Sequence, residues 1–191
     1  LACVMFAGCA KKEVIINGIA DLEGKKIGVQ SGTTGDAWAQ SESKAASVAG
    51  FKSGIDAALD LKNGTLDAVV LDELPALEIV SRNSDLKIVR DPYFADNKEE
   101  YAIAVKKGND ELLAAINKTI TTMKDSGQYE ELVNAFMPVD GNIKIPAFKS
   151  EKTDGTVKLG TNAAFPPFEY VEGKNIVGFD ITMVEKVADT C

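Results

Sequence analysis

The stretch "NGTLDAVVLDELPA", Asn63 to Ala76, decides the fold class. Its centre, "LDAVVLD", is a nearly continuous apolar run of strand length, as expected of a central parallel strand covered on both faces. The residues that follow, "ELPALEIVSRNS", read as a helix opened by Asp72, with Pro75 tolerable in the first turn. A buried strand feeding directly into a helix is the repeating unit of an α/β lobe.

The same unit recurs outward in both directions. On the N-terminal side "KKIGVQ" is a short β-rich run, "SGTTGDAWAQSESKAA" turns on glycines into a helical pattern, and "SVAGFKS" is a second strand. "GIDAALDLKNGT" places Ile55, Ala58 and Leu59 on one helical face, with Gly64 as a C-terminal stop. On the C-terminal side "DLKIVRDPYF" is expected to return as a strand, and "YAIAVKKG" follows as another after the polar break "ADNKEE". "NDELLAAINKTITTMKDSG" is a long amphipathic helix with Leu112, Ile116 and Ile120 at helical spacing; Asn109 or Asp110 caps it and Gly127 ends it. "QYEELVNAFM" adds a short helix. Alternation of this kind predicts a doubly wound lobe whose ligands meet the loops at the carboxyl ends of the strands.

The rest of the chain reads differently. Residues 138–155, "PVDGNIKIPAFKSEKTDG", mix prolines, glycines and both charges without periodicity and read as a linker. Then "TVKLGTNAAFPPFEYVEGKNIVGFDITMVEKVADTC" gives a strand, a turn rich in aromatics and prolines, a hairpin and an opening helix. That is how a ligand-binding α/β domain begins, and it stands last.

Composition narrows the function. With 191 residues, 45% of them hydrophobic and 26% charged, the chain has a globular balance. A net charge of −8 and only two arginines, Arg82 and Arg90, argue against a nucleic-acid partner. The chain has no histidine, so a general-base enzyme would have to shift another group into the neutral range. An enzyme is therefore not expected. Cys3, Cys9 and Cys191 have the spacing of neither a zinc site nor a disulfide framework, and no metal or cofactor is expected.

The first residues, "LACVMFAGCAKK", set an apolar run and the small pair Ala7–Gly8 before Cys9, with Lys11 and Lys12 after it. This looks like the cleavage end of a bacterial lipoprotein signal, in which Cys9 takes the lipid and tethers the protein to a membrane face without spanning it.

Taken together, "IADLEGKKIGVQSGTTGD", "NGTLDAVVLDELPA", "EEYAIAVKKGNDELLAAINKTITTMKDSGQYEELVNAF" and "VKLGTNAAFPPFEYVEGKNIVGFDITMVEKVA" resemble the family 3 solute-binding proteins. These are the extracytoplasmic amino-acid receptors of ABC importers. The resemblance implies a periplasmic-binding-protein-like fold of type II, with two α/β lobes that close over an amino acid, and a periplasmic or cell-surface location. It also implies ABC transporter permease subunits as partners. It divides the chain into a signal end and tether at 1–13, lobe two at 14–99, the strand and helices returning to lobe one at 100–137, the linker at 138–155 and the opening of lobe one at 156–191. Lobe two is expected complete and lobe one partial, in permuted or truncated order.

The resemblance also assigns a site. In "VQSGTTGD", the backbone and hydroxyls of Ser31, Gly32, Thr33 and Thr34 at a positive helix end receive the ligand carboxylate; an ordinary glycine turn with threonine capping accounts for the same letters. Asp72 matches the position that pairs with the ligand's α-ammonium, and as a helix cap it would play both parts. Phe165 resembles the aromatic over the bound side chain, and Asn162 stands where a polar contact is common. One departure is evident, since the family's carboxylate-clamping arginine, in a Thr-x-x-Arg segment, has no match here. A dehydratase or sensor domain on the same fold, and a domain-swapping half that binds nothing alone, are the other classes in play.

Overall fold

The computed structural model describes residues 14–96, 99–138, 143–147 and 155–191. The lipidation candidate Cys9 and the rest of the signal end lie outside them, as does most of the linker. A short 3-10 helix, Ile19–Leu22, leads into β1 (Lys26–Gln30), the middle strand of a three-stranded parallel sheet between β2 (Ser47–Phe51) and β3 (Ala68–Val70). Ile27 and Val29 of β1 share a core with Leu22 and Ala39, while Gly28, pointing the other way, lies against Phe51, Ala57 and Leu66. Because successive strand residues face opposite sides, α1 (Thr34–Ser41), which carries Ala39, and α2 (Gly54–Lys62), which carries Ala57, cover opposite faces of the sheet. Double winding is thus present in three strands.

Four expectations are corrected. The run "LDAVVLD" forms a strand only over Ala68–Val70, and it is half-buried at the sheet edge, because an apolar run reports burial and not the number of hydrogen-bonded neighbours. On α2 the buried positions are Gly54, Ala57 and Ala58, whereas Ile55 and Leu59 are exposed. Small side chains against Gly28 let this helix approach the sheet closely, which turns its bulkier residues outward. The expected strand "DLKIVRDPYF" is no strand; it ends in α4 (Pro92–Asp96), opened by Asp91, whose Oδ1 accepts from the Tyr93 N–H at 3.0 Å. Proline suits the first helical position because its missing N–H would be unpaired there anyway. Finally, neither "YAIAVKKG" nor the segment 156–163 is part of a ladder among the described residues. Alternation fixes which face a residue takes, but a strand also needs a neighbour to accept its backbone bonds.

α3 (Glu73–Ser81) follows β3. The second half of the chain builds its own core from α5 (Asp110–Asp125), α6 (Gln128–Phe136), the strands β4 (Ala164–Phe165), β5 (Glu169–Glu172) and β6 (Asn175–Val177), and α7 (Phe179–Thr190). Met123, Leu132, Phe136, Phe168, Phe179 and Met183 are buried together there, and Leu74 of α3 packs against them. Asn109 caps α5 through the Leu112 N–H, and Gly127, with φ +81°, turns the chain into α6. Between hairpin and α7, Gly178 has φ +139°, and a Cβ on it would stand 2.0 Å from the Phe168 carbonyl oxygen. Only glycine allows that approach, which lets the Phe179 and Asp180 N–H groups donate to the carbonyls of Pro167 and Phe168 at 3.1 and 3.0 Å. Beside α1, Trp38, Tyr93 and Phe94 form an aromatic group with ring centroids 5.0 to 6.1 Å apart.

Candidate functional site

Parallel pairing of Val29 with Val70 makes β1 and β3 leave the sheet at the same end. The chain beyond β1 is Ser31–Thr34 and the chain beyond β3 reaches Asp72, so topology alone gathers these candidates at one edge, as the switch-point rule for α/β sheets requires.

The loop's own bonds define what it can offer. Ser31 N–H donates to the Phe51 carbonyl at 2.8 Å. Gly32, with φ +79°, gives its N–H to Asp36 Oδ2 at 2.9 Å. The Thr33 hydroxyl donates to the Gln30 carbonyl at 2.9 Å and accepts from the Asp36 N–H at 3.2 Å, capping α1. Gly32 and Thr33 are therefore engaged locally, with Asp36 already supplying a negative charge to the helix start. Thr34 stands exposed at the first helical position, where backbone N–H groups have no partner within the helix.

Asp72 occupies the cap position of α3 but makes no side-chain cap bond. Its Oδ2 instead accepts a hydrogen bond from the Tyr101 hydroxyl. The double role expected of Asp72 thus loses its capping half: the carboxylate turns to a residue far along the chain. Tyr101 in turn stacks on Phe168, with centroids 4.7 Å apart and planes at 21°, and Phe168 stacks on Phe165 at 5.7 Å and 22°. Partial desolvation first, though the residue is still 59% exposed, then the hydrogen bond and charge of Asp72, with Glu99 and Asp180 adding to it, raise the Tyr101 phenol above the ordinary range. Tyr101 therefore donates its proton and does not release it.

Phe165 is thereby brought toward Asp72 through two intervening rings. Asn162 is not joined to this group; it lies exposed, its carbonyl accepting from the Ala164 N–H at 2.6 Å. Both arginines are engaged elsewhere, Arg82 with Glu78 at 2.5 Å and Arg90 with Glu73 at 2.6 Å. A separate groove of about 370 Å³ between α2, α3 and the hairpin is lined by Ile55, Leu59, Ile79, Arg82 and Tyr170 among others, and by none of the candidate residues. Among the described residues no group of acidic or cysteine side chains could hold a metal, and no helix is long and apolar enough to cross a membrane.

Sequence reasoning passed over Tyr101, and also a carboxyl pair next to it. Glu169 on β5 is 9% exposed, and its pKa is pushed up to about 7, by burial first and then by the charge and hydrogen bond of Asp180, with a hydrogen bond from Thr161 acting the other way. Asp180 is also raised by burial, while its bond with Glu169 opposes the rise, so Glu169 is the partner that keeps the proton.

No family model matches the chain. Known proteins do. The L-cystine-binding protein TcyJ of Escherichia coli K12 is 32% identical over 120 residues, covering 63% of this chain and 44% of that protein. The L-arginine-binding protein of Pseudomonas aeruginosa PAO1 is 34% identical over 128 residues, covering 63% and 49%. Among solved structures, the substrate-binding protein of an amino acid ABC transporter superposes with a TM-score of 0.58 at 33% identity, covering 62% of this chain and 53% of that one. Over this shared stretch the chain is similar to amino-acid-binding proteins of ABC transporters, in keeping with its resemblance to the family 3 solute-binding proteins. An ancestral arginine-binding protein bound to arginine agrees, with a TM-score of 0.54 at 37% identity and coverage of 62% and 53%. The fold is accordingly that of the type II periplasmic binding proteins. The chain spans about half the length of the curated relatives it matches.

Proposed function

We propose that this chain, similar to amino-acid-binding proteins over part of its length, is the substrate-binding component, or a part of it, of an ABC importer for a polar amino acid. The observation that carries this reading is the joining of Asp72, at the carboxyl end of the parallel sheet, to the aromatic rings of Tyr101, Phe168 and Phe165. A carboxylate beside stacked rings suits an ammonium group attached to a partly apolar body. Relatives named for binding cystine, arginine and glutamine support an amino acid as the ligand class. In this proposal Asp72 holds the α-ammonium, Ser31–Thr34 receive the α-carboxylate, Phe165 covers the side chain and Asn162 adds a polar contact. Residues 14–99 act as lobe two, and 100–137 with 156–191 act as part of lobe one. Permease subunits are the partners, Cys9 carries the lipid, the location is periplasmic or cell-surface, and no catalysis or cofactor is involved.

A second reading has its own support. Arg82 and Arg90 are both tied to glutamates of α3, so the carboxylate end of a zwitterion meets hydroxyls and helix-end N–H groups without a guanidinium. An incomplete site of that kind belongs to a half that needs another polypeptide. Titration calorimetry of the purified chain against an amino-acid panel, at low and high protein concentration, tests both. Weak binding, in the high micromolar range or above, is expected for the monomer, tightening only when a complementary half is supplied. Submicromolar affinity in a monomer would overturn the second reading; no binding with any supplied half would overturn the first.

A further inference from the structure

Asp72 has two carboxylate oxygens, and the protein uses one. Oδ2 accepts from Tyr101, whose position at residue 101 is 29 residues along the chain, while no hydrogen bond to Oδ1 is present among the described residues. Tyr101 is held in turn by its ring, stacked on Phe168, which is 6% exposed and belongs to the second core. The hydroxyl is thus anchored through a rigid ring to one core while it grips a carboxylate that terminates a strand of the other sheet. No cap bond fixes Asp72 in its place. A lone carboxylate at a strand end turns freely about χ1 and χ2; one that is gripped through a single oxygen presents the other in a fixed direction.

We propose that Tyr101 is the positioning residue of the ammonium subsite: by holding Asp72 Oδ2 it presents Oδ1 to the α-ammonium of the ligand. The proposal rests on the amino-acid-binding reading above and adds a residue to it. Tyr101 is not itself an ammonium ligand; it acts through Asp72. The charges around its ring, Asp72, Glu99 and Asp180, are all acidic, so the phenol stays protonated and remains a donor throughout the neutral range.

The test compares the full chain with Tyr101→Phe, which keeps the stacked ring and removes only the hydroxyl, and with Asp72→Asn. Each is titrated with the best-binding amino acid of the panel and with its α-hydroxy analogue, in which the ammonium is replaced by a neutral hydroxyl. Tyr101→Phe is expected to weaken amino-acid binding roughly ten- to a hundredfold, the range for losing one hydrogen bond to a charged group, and to leave the hydroxy analogue nearly unchanged. Placed on the Asp72→Asn background, it should change neither. A purely structural role would weaken both ligands alike, and that result overturns the proposal. Equal amino-acid affinity in wild type and Tyr101→Phe overturns it as well, and tighter binding would make Tyr101 a competitor for Asp72, which also overturns it. Failure of the wild-type chain to bind any amino acid defeats the receptor reading and this proposal together, and is recognisable because it is seen before any substitution. A ligand-free check runs beside it: the Tyr101 ring resonance, assigned by its loss in Tyr101→Phe, should titrate at lower pH in Asp72→Asn, and an unchanged titration would show that the pairing is absent.

Discussion

Glu169 is a carboxyl group kept protonated by its surroundings. Burial and the neighbouring Asp180 raise it from 4.5 to about 7, and its Oε2 has no hydrogen-bond partner among the described residues. The folded protein therefore holds this proton more tightly than the unfolded chain does. Its contribution to stability is complete below pH 4.5 and is lost as pH rises toward about 7. The loss should be on the order of 3 kcal/mol. Thermal melting between pH 4.5 and 7.5 should show a falling midpoint, and Glu169→Gln, which keeps a donor without the charge, should flatten that slope. An unchanged slope would place the titration elsewhere. Asp91 works in the opposite sense: backbone bonds from Ile19 first and Tyr93 second lower its pKa, so what it contributes is present above its ordinary 3.8 and lost as pH falls. Neither group was legible in the sequence, because a carboxylate's neighbours across a hairpin or a loop leave no mark on the letters beside it.

Turns and helix starts carry the next tests. Thr33 caps α1 with its hydroxyl, so Thr33→Ala should cost about 1 kcal/mol in denaturant unfolding. A loss near zero would mean that Asp36, through Gly32, holds the helix start alone. Gly178→Ala meets both a positive φ and the Phe168 carbonyl, and should destabilise the hairpin–α7 junction by at least about 2 kcal/mol; proteolysis would then begin in that hairpin. Elements of this kind were largely readable. The spacing of Leu112, Ile116 and Ile120, the Asn109 cap and the Gly127 stop together located α5 and its end. The failures share one cause. Residues 101–108 and 156–163 have strand-like alternation, yet a strand is a relation between two segments, and the second segment is not written in the first. The place of "LDAVVLD" at the edge of its sheet was hidden for the same reason.

Over the whole molecule, two cores share no buried residue. One surrounds Ile27 and Val29; the other surrounds Phe136 and Phe179. Among the described residues, the packing of Leu74, the Tyr101–Asp72 bond and the approach of α2 to β4 are contacts that tie them. Phe136→Ala should cost roughly 3–5 kcal/mol, as for a fully buried aromatic, and speed amide exchange in α5, α6 and α7. Exchange at Ile27 and Val29 should stay slow. Uniform acceleration would show that the cores unfold as one. Fold class was readable from apolar runs because the first core is built from strand–helix units whose members are near in sequence. The candidate cleft was readable only as separate letters, since Tyr101, which joins Asp72 to the stacked rings, lies in a segment to which the resemblance assigned no site role.

The aromatic group on α1 gives the experimenter something further. Trp38 is the only tryptophan in the chain, and it packs at the margin of the first core beside Tyr93 and Phe94. Its emission is therefore a private signal of that core, with the Thr33 cap one helical turn away. Excitation at the red edge would follow the N-terminal sheet alone as it opens, while far-ultraviolet dichroism follows the helices of both cores. A single cuvette can then tell which half of the protein lets go first.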